Sequence, residues 1–341
     1  MKKPGGDLRL VTAALRGSLP DEANWIPVLE IANRGWLGPA LYLALERNNQ
    51  LARIPGQVSD YLAFLHGRNR ERNRRLRAQL IEAVGALNHA GIEPILLKGA
   101  IHLYTAPEED LGARMLSDLD LSVSPSEMDR AKSALLGLDY AYANSTRELG
   151  RSCDVGVIEL HDRPSPRSAH YLDGKLRHFT SPQARDGARA RIPTATARAL
   201  HLIVHDMIKE GDYWSLKIDL RHLHDLAELA RSEEGIDWKQ LGATLCDPPA
   251  RRALALQALA MQDLFEIAIP SDLGSSRLAR AKHVARLVGA GGGMAASSMR
   301  LAGNLSLGLH RLWNGFRSRG AWKISRQVYR RLAATGSGSR I

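Results

Sequence analysis

Apolar positions along the chain fall into two rhythms, and the change between them divides it. From about Pro20 to Leu65, Trp25, Val28, Leu29, Ile31 and Ala32, then Leu41, Leu43, Ala44 and Leu45, recur at helical spacing and predict two or three helices. From Arg70 to Ala90 a basic start gives way to Leu76, Leu80, Ala83, Val84 and Leu87, a helix with Arg and Asn on its outer face. Gly91 ends it. Pro94 opens a short apolar run to Leu97 that reads as a buried strand, and Lys98-Gly99-Ala100 leads into a short helix reaching Tyr104. After a polar turn from Pro107 to Gly112 the rhythm becomes alternation: Leu119, Leu121 and Val123 are apolar between Asp118, Asp120 and Ser122, as on a half-buried strand. Ser124, Pro125 and Glu127 spell a capping box for a helix to about Leu136. Tyr140–Tyr142 and Gly156–His161 read as strands, the second with Val157, Glu159 and His161 on one face.

Pro164 to Gly187 is rich in Pro, Ser, Arg and Gly and predicts loop. Helical spacing returns at Thr196 and continues through Leu226, and Asp237-Trp238 starts another helix to about Leu245. Beyond Pro270 the chain is basic and rich in Gly, Ala and Ser, with a helix stripe at Trp322, Ile324, Val328 and Leu332 and a disordered end from Thr335. The expected fold is α+β: a small mixed sheet of about four strands flanked by N- and C-terminal helices. The expected units are an N-terminal helical segment (1–69), a core (70–190) and a C-terminal helical domain with a basic tail (191–341).

Composition narrows the setting. Of the 341 residues 44% are hydrophobic and 24% charged, enough for a substantial core. Neither an apolar leader nor a spanning run is present, so the expected location is cytoplasmic, with no membrane partner. Cys153 and Cys246 lack ligand spacing and imply no disulfide framework. The net charge of +11 suits a binder of nucleic acid, an enzyme that handles triphosphates or an arginine-rich background with no special partner, and no zinc-finger or RNA-recognition signature supports the first. The cluster Arg68, Arg70, Arg72, Arg74, Arg75 and Arg77 reads as a solvated helix face, with contact to an acidic substrate as the alternative.

The chemistry starts from Asp118 and Asp120. Residues i and i+2 of a strand share a face and lie about 7 Å apart. Their carboxylates repel unless something positive intervenes, and for hard oxygen ligands the default is Mg²⁺, with Mn²⁺ as a substitute. Mg²⁺ usually takes its remaining ligands from water and substrate phosphates, which outlines a nucleotide-handling site.

Lys98-Gly99 after an apolar strand, Arg114 before the Asp118-x-Asp120 strand, and Glu159 with His161 on a later strand resemble the DNA polymerase β-like nucleotidyltransferase superfamily. The similarity is strongest to its bacterial uncharacterised nucleotidyltransferase family and runs from about Leu76 to Asp237. The resemblance implies transfer of a nucleoside monophosphate from an NTP, ATP among them, to a hydroxyl of a small-molecule, peptide or protein acceptor. Asp118, Asp120 and Glu159 would be catalytic and hold the metal, with Glu159 also a candidate base. Lys98, Gly99, Arg114 and Ser117 would bind nucleotide, Gly99 by letting the backbone approach the triphosphate. Arg114 has a second reading, holding its loop to a carboxylate, and His161 reads as a supporting group. In the better-known members a Gly-Ser pair lies closer to the first Asp; here Lys98-Gly99-Ala100 stands further upstream and the serine is missing.

Two other classes compete: a non-catalytic module binding nucleotide or nucleic acid, and a partner protein of a biosynthetic or toxin–antitoxin operon. His201, His205, Asp206, His222, His224 and Asp225 form a second polar cluster, read as core or pocket polarity, with a His-Asp metal site as the sharper alternative.

Overall fold

The computed structural model describes residues 5–20, 23–291 and 294–312. The helix stripe at Trp322–Leu332 and the disorder from Thr335 lie outside the described residues. Three short helices, α1 (Gly6–Leu15), α2 (Trp25–Arg34) and α3 (Gly38–Arg47), precede the 34-residue α4 (Gly56–His89). Then come β1 (Ile95–Leu96), α5 (Gly99–Thr105), β2 (Asp118–Ser122), α6 (Met128–Leu136), β3 (Ala141–Tyr142), β4 (Glu148–Gly150) and β5 (Val157–His161). The region expected to be loop is more ordered than that: it holds the single turns α7 (Ala169–Leu172) and α8 (Lys175–His178) and the strand β6 (Thr180–Arg185), which pairs with β7 (Ala188–Pro193). Alternation alone hid β6, because none of its six side chains is buried and no apolar face is left to detect.

The sheet has seven strands in the order β3-β4-β5-β2-β1-β7-β6, three more than the sequence suggested. It is mixed: β2–β5 and β1–β7 run parallel, the other neighbours antiparallel. The central register sets Asp118 against Val157, Asp120 against Glu159 and Ser122 against His161. One face follows the odd apolar residues of β2: Leu119, Leu121, Ile158 and Leu160 are buried with Leu76, Leu80, Val84 and Leu87 of α4. Burying those aliphatics is the main term that holds sheet to helix, at roughly 1.5–3 kcal/mol per side chain. Asp118, Asp120, Glu159 and His161 therefore occupy the other face. The capping box forms as read, with the Glu127 carboxylate accepting from both the Ser124 N–H (2.8 Å) and its hydroxyl (2.5 Å).

After β7 the chain is helical: α9 (Ala195–Ile203), a π-helical segment (Val204–Glu210), α10 (Asp212–Ser215), α11 (Leu220–Arg231), α12 (Trp238–Thr244), α13 (Pro248–Phe265), α14 (Ser271–Gly274) and α15 (Arg277–Ala290), then helix over 294–312. Helices α9 to α15 share one hydrophobic core with α1–α3, and Arg9 on α1 holds Asp263 on α13 through two hydrogen bonds of 2.8 and 2.7 Å. The long α4 serves both cores: Leu62 lies in the helical one, Leu76 to Leu87 in the sheet's. Among the described residues, no helix is long and apolar enough to cross a membrane.

Candidate active site

The parallel pairing of β2 with β5 brings together acids far apart in sequence. Asp120, 1% exposed, stands beside Glu159, and the register extends the row to Glu148 on β4, which faces Glu159 across the antiparallel pair. Like charges directly opposite on a sheet destabilise it unless neutralised. Part of the neutralisation is present: Oδ1 of Asp120 accepts from Lys98 Nζ at 2.7 Å and pairs with His161 Nε2 at 2.8 Å. Burial alone would raise the Asp120 carboxyl; the hydrogen bond from His161 and the Lys98 charge outweigh it and hold the group at about 2. Lys98 is its complement, since burial would lower it but Asp120 keeps it above its ordinary value.

Lys98 reaches Asp120 from a strained turn. The Ala100 N–H donates to Leu97 O, closing a tight turn with Lys98 at φ 46°, ψ −120°, a conformation ordinarily left to glycine. Gly99 has a packing reason that the sequence reading did not see. A Cβ there would lie 1.7 Å from Leu116 Cδ2 and 2.9 Å from an Arg114 guanidinium nitrogen, so its bare side is filled by protein.

Arg114 meets a carboxylate, the contact its second reading describes. Its Nε and a terminal nitrogen donate to the two carboxylate oxygens of Asp225 on α11, at 3.2 and 2.5 Å. Burial would raise Asp225, but the Arg114 charge holds it at about 2. Ser117 donates to Asp118 Oδ1 at 3.0 Å. Asp118 shares the acid face, but the group whose ligand atoms lie within 4.8 Å of one another is Asp120, Glu159 and His161. His161 thus stands within this group, hydrogen-bonded to Asp120.

The loop that carries Arg114 and Ser117 is held by α4. Asn73 Nδ2 donates to the carbonyls of Leu111 (2.7 Å) and Arg114 (2.8 Å), and Asn69 Nδ2 to those of Gly112 (2.7 Å) and Arg114 (3.1 Å). The arginine cluster is not uniformly a solvated face. Arg77 is buried and donates to Leu103 O and Ala106 O, and Arg72 donates to Leu116 O and Val155 O.

Beside the acids a cavity of about 970 Å³ lies between the sheet core and the helices, with Lys98 in its wall. Four of its arginines are matched by acids: Arg16 by Glu266, Arg47 by Asp110, Arg114 by Asp225 and Arg231 by Glu228. Arg198 on α9 and Arg221 on α11 have no acidic partner among the described residues. Burial lowers Arg198 below its ordinary value, and Arg221 lies over the Trp36 ring, 5.0 Å from its centroid. His201, in the same wall, is pushed by burial to about 3 and is neutral at working pH. Sequence reasoning missed Arg198 and Arg221, whose lack of partners appears only once helices distant in sequence are packed.

The fold is thus a mixed sheet with acids on one face, next to a cavity with more guanidinium groups than acids in its wall. The chain belongs to the family described as uncharacterised nucleotidyltransferase, whose model matches residues 21–266. The match takes in the sheet and most of the helical core, and identifies a transferase family. No curated protein and no solved structure matches the chain.

Proposed function

We propose that the protein is a metal-dependent nucleotidyltransferase of the polymerase β-like kind, moving a nucleoside monophosphate from an NTP to the hydroxyl of a small-molecule, peptide or protein acceptor. The observation that carries the reading is the Asp120–Glu159 register with Lys98 shared between that pair and the cavity wall.

The residues fit a divalent cation. Among the described residues both hydrogen bonds to the Asp120 carboxylate reach Oδ1 and none reaches Oδ2, which leaves an oxygen for a metal beside Glu159. Asp120 and Glu159 would hold Mg²⁺, with Asp118 added from the same face; an imidazole in reach also suits Mn²⁺. When bound, the cation supplies stabilisation for charge building on the phosphoryl oxygens.

The chain's own groups do the rest. Arg198 and Arg221 would meet the polyphosphate, whose charge supplies the counter-ion they lack. In the transfer the acceptor oxygen bonds to the α-phosphorus as the bond to pyrophosphate breaks. Glu159, a third exposed, is placed to take the hydroxyl proton. Lys98 keeps Asp120 ionised and in place.

The test is pyrophosphate release from each NTP with Mg²⁺ or Mn²⁺, with NTP labelled at the α or γ phosphate to identify the group moved. Asp120→Asn and Glu159→Gln should each reduce turnover by at least about 10²-fold while the circular dichroism spectrum is kept. Turnover at wild-type rate in either variant rejects the assignment.

A further inference from the structure

A second cluster lies outside the acid site. His205 and Asp206 sit in the π-helical segment Val204–Glu210, and His222 on α11 packs against them. Nδ1 of His205 lies 2.9 Å, and Nδ1 of His222 2.7 Å, from the same oxygen, Asp206 Oδ1. The two rings are 5.6 Å apart and nearly perpendicular. Asp206 is 3% exposed, and its other oxygen, Oδ2, is buried without a hydrogen-bond partner. A buried carboxylate oxygen without a partner is costly to the fold. A fold that keeps one beside two imidazoles offers a built ligand set.

We propose that His205, Asp206 and His222 bind a single transition-metal ion, with Zn²⁺ the best match to two nitrogens and one carboxylate. Each residue offers one ligand atom, all within 4.8 Å of one another, so small side-chain movements reach bonding distance. Two imidazoles favour zinc over magnesium, which prefers oxygen throughout. π-helical turns are rare and concentrate at functional positions. Water completes the coordination.

The ion would clip the π segment to α11 and so fix the cavity wall that carries His201 and Arg221. Coordination through Nδ1 leaves the His222 proton on Nε2. Arg221, whose guanidinium now lies 3.3 Å from that nitrogen, is then turned away from the ring. The site is distinct from the Asp120 cluster and stands whether or not the protein transfers nucleotides.

The experiment measures metal content by mass spectrometry in the full chain, loaded with zinc and desalted through metal-free buffer. Wild type should keep about one zinc per chain. Glu159→Gln, which alters the acid site, should keep it too, whereas His205→Ala and Asp206→Asn should lose it at least tenfold. Should either of these fail to fold, Co²⁺ titration of wild type and Glu159→Gln replaces them, with the same visible absorption bands expected from both. Wild type without stoichiometric zinc, zinc retained in folded His205→Ala, or metal lost with Glu159→Gln would each overturn the site.

Discussion

One oxygen, Oδ1 of Asp120, meets both Lys98 and His161, and the way Lys98 gets there can be tested apart from its charge. At φ 46°, ψ −120° a side chain is strained at a cost of order 1–3 kcal/mol, and glycine is not. Lys98→Ala and Lys98→Gly both remove the ammonium and leave Asp120 to His161 alone, so their difference reports the backbone. Lys98→Gly should be more stable than Lys98→Ala by about 1 kcal/mol in urea unfolding, the reverse of the usual order, and both should lose activity. A second residue carries a pH signature. Burial raises the Asp212 carboxyl to about 7, further supported by Asp206 and Asp219 nearby. Below the ordinary carboxyl range both folded and unfolded chains hold the proton, and Asp212 contributes nothing. Between that range and about 7 the unfolded chain releases it while the folded one keeps it, so stability falls as pH rises, and above 7 the full loss persists. The loss is on the order of 2–4 kcal/mol. Asp212→Asn should flatten the curve between about pH 4 and 7, measured with chelator present; parallel curves for wild type and variant would reject the raised value.

At the scale of elements, α4 decides where the site's loop lies. Asn73 supplies hydrogen bonds to two carbonyls of that loop, and Asn73→Ala should cost roughly 1–3 kcal/mol, since the Leu111 carbonyl loses this donor while that of Arg114 keeps Asn69. It should also lower turnover, because the same loop leads into Asp118; a variant with normal stability would show that water replaces the amide. This helix also marks what the sequence could and could not tell. Its apolar stripe from Leu76 to Leu87 was legible because burial against a sheet imposes a helical period. Its polar side looked like a solvated face, because an arginine that donates to carbonyls, as Arg77 does to Leu103 and Ala106, has the same spacing as one in water. That Asp118 and Asp120 share one face of their strand, and Glu159 and His161 one face of theirs, was legible because alternation fixes a strand's face without tertiary knowledge; that the two faces meet needs the β2–β5 register. The Arg114–Asp225 pair was not, since its partners are 111 residues apart and either residue has other plausible uses. The exposed β6 was missed for want of any apolar face, and the contact of His161 with Asp120 was hidden because it depends on how β2 and β5 pair.

Across the whole molecule the helical core and the sheet core enclose a cavity whose guanidinium charge exceeds its acids, and the excess has a thermodynamic consequence. A half-buried guanidinium with no acidic partner gives up part of its hydration and gains no ion pair, so it destabilises the ligand-free fold. Arg198 is in that position: burial lowers it, and Arg114 nearby adds repulsion to a field that Asp225, already engaged by Arg114, only partly offsets. A bound polyphosphate would reverse the balance by supplying the missing anion in a site of restricted water, where charge-assisted hydrogen bonds are strong. The two states should therefore respond to Arg198→Leu in opposite directions. Without ligand, the variant should be more stable than wild type by about 1–3 kcal/mol, because an apolar side chain of moderate size replaces an unpaired cation. With NTP or inorganic triphosphate present, wild type should gain thermal stability as ligand rises above its dissociation constant, and Arg198→Leu should gain far less, its affinity reduced about tenfold or more. Thermal unfolding of both proteins over a triphosphate titration measures the two effects together. If Arg198→Leu is less stable without ligand and binds triphosphate as wild type does, the residue is a packing element and the polyanion lies elsewhere.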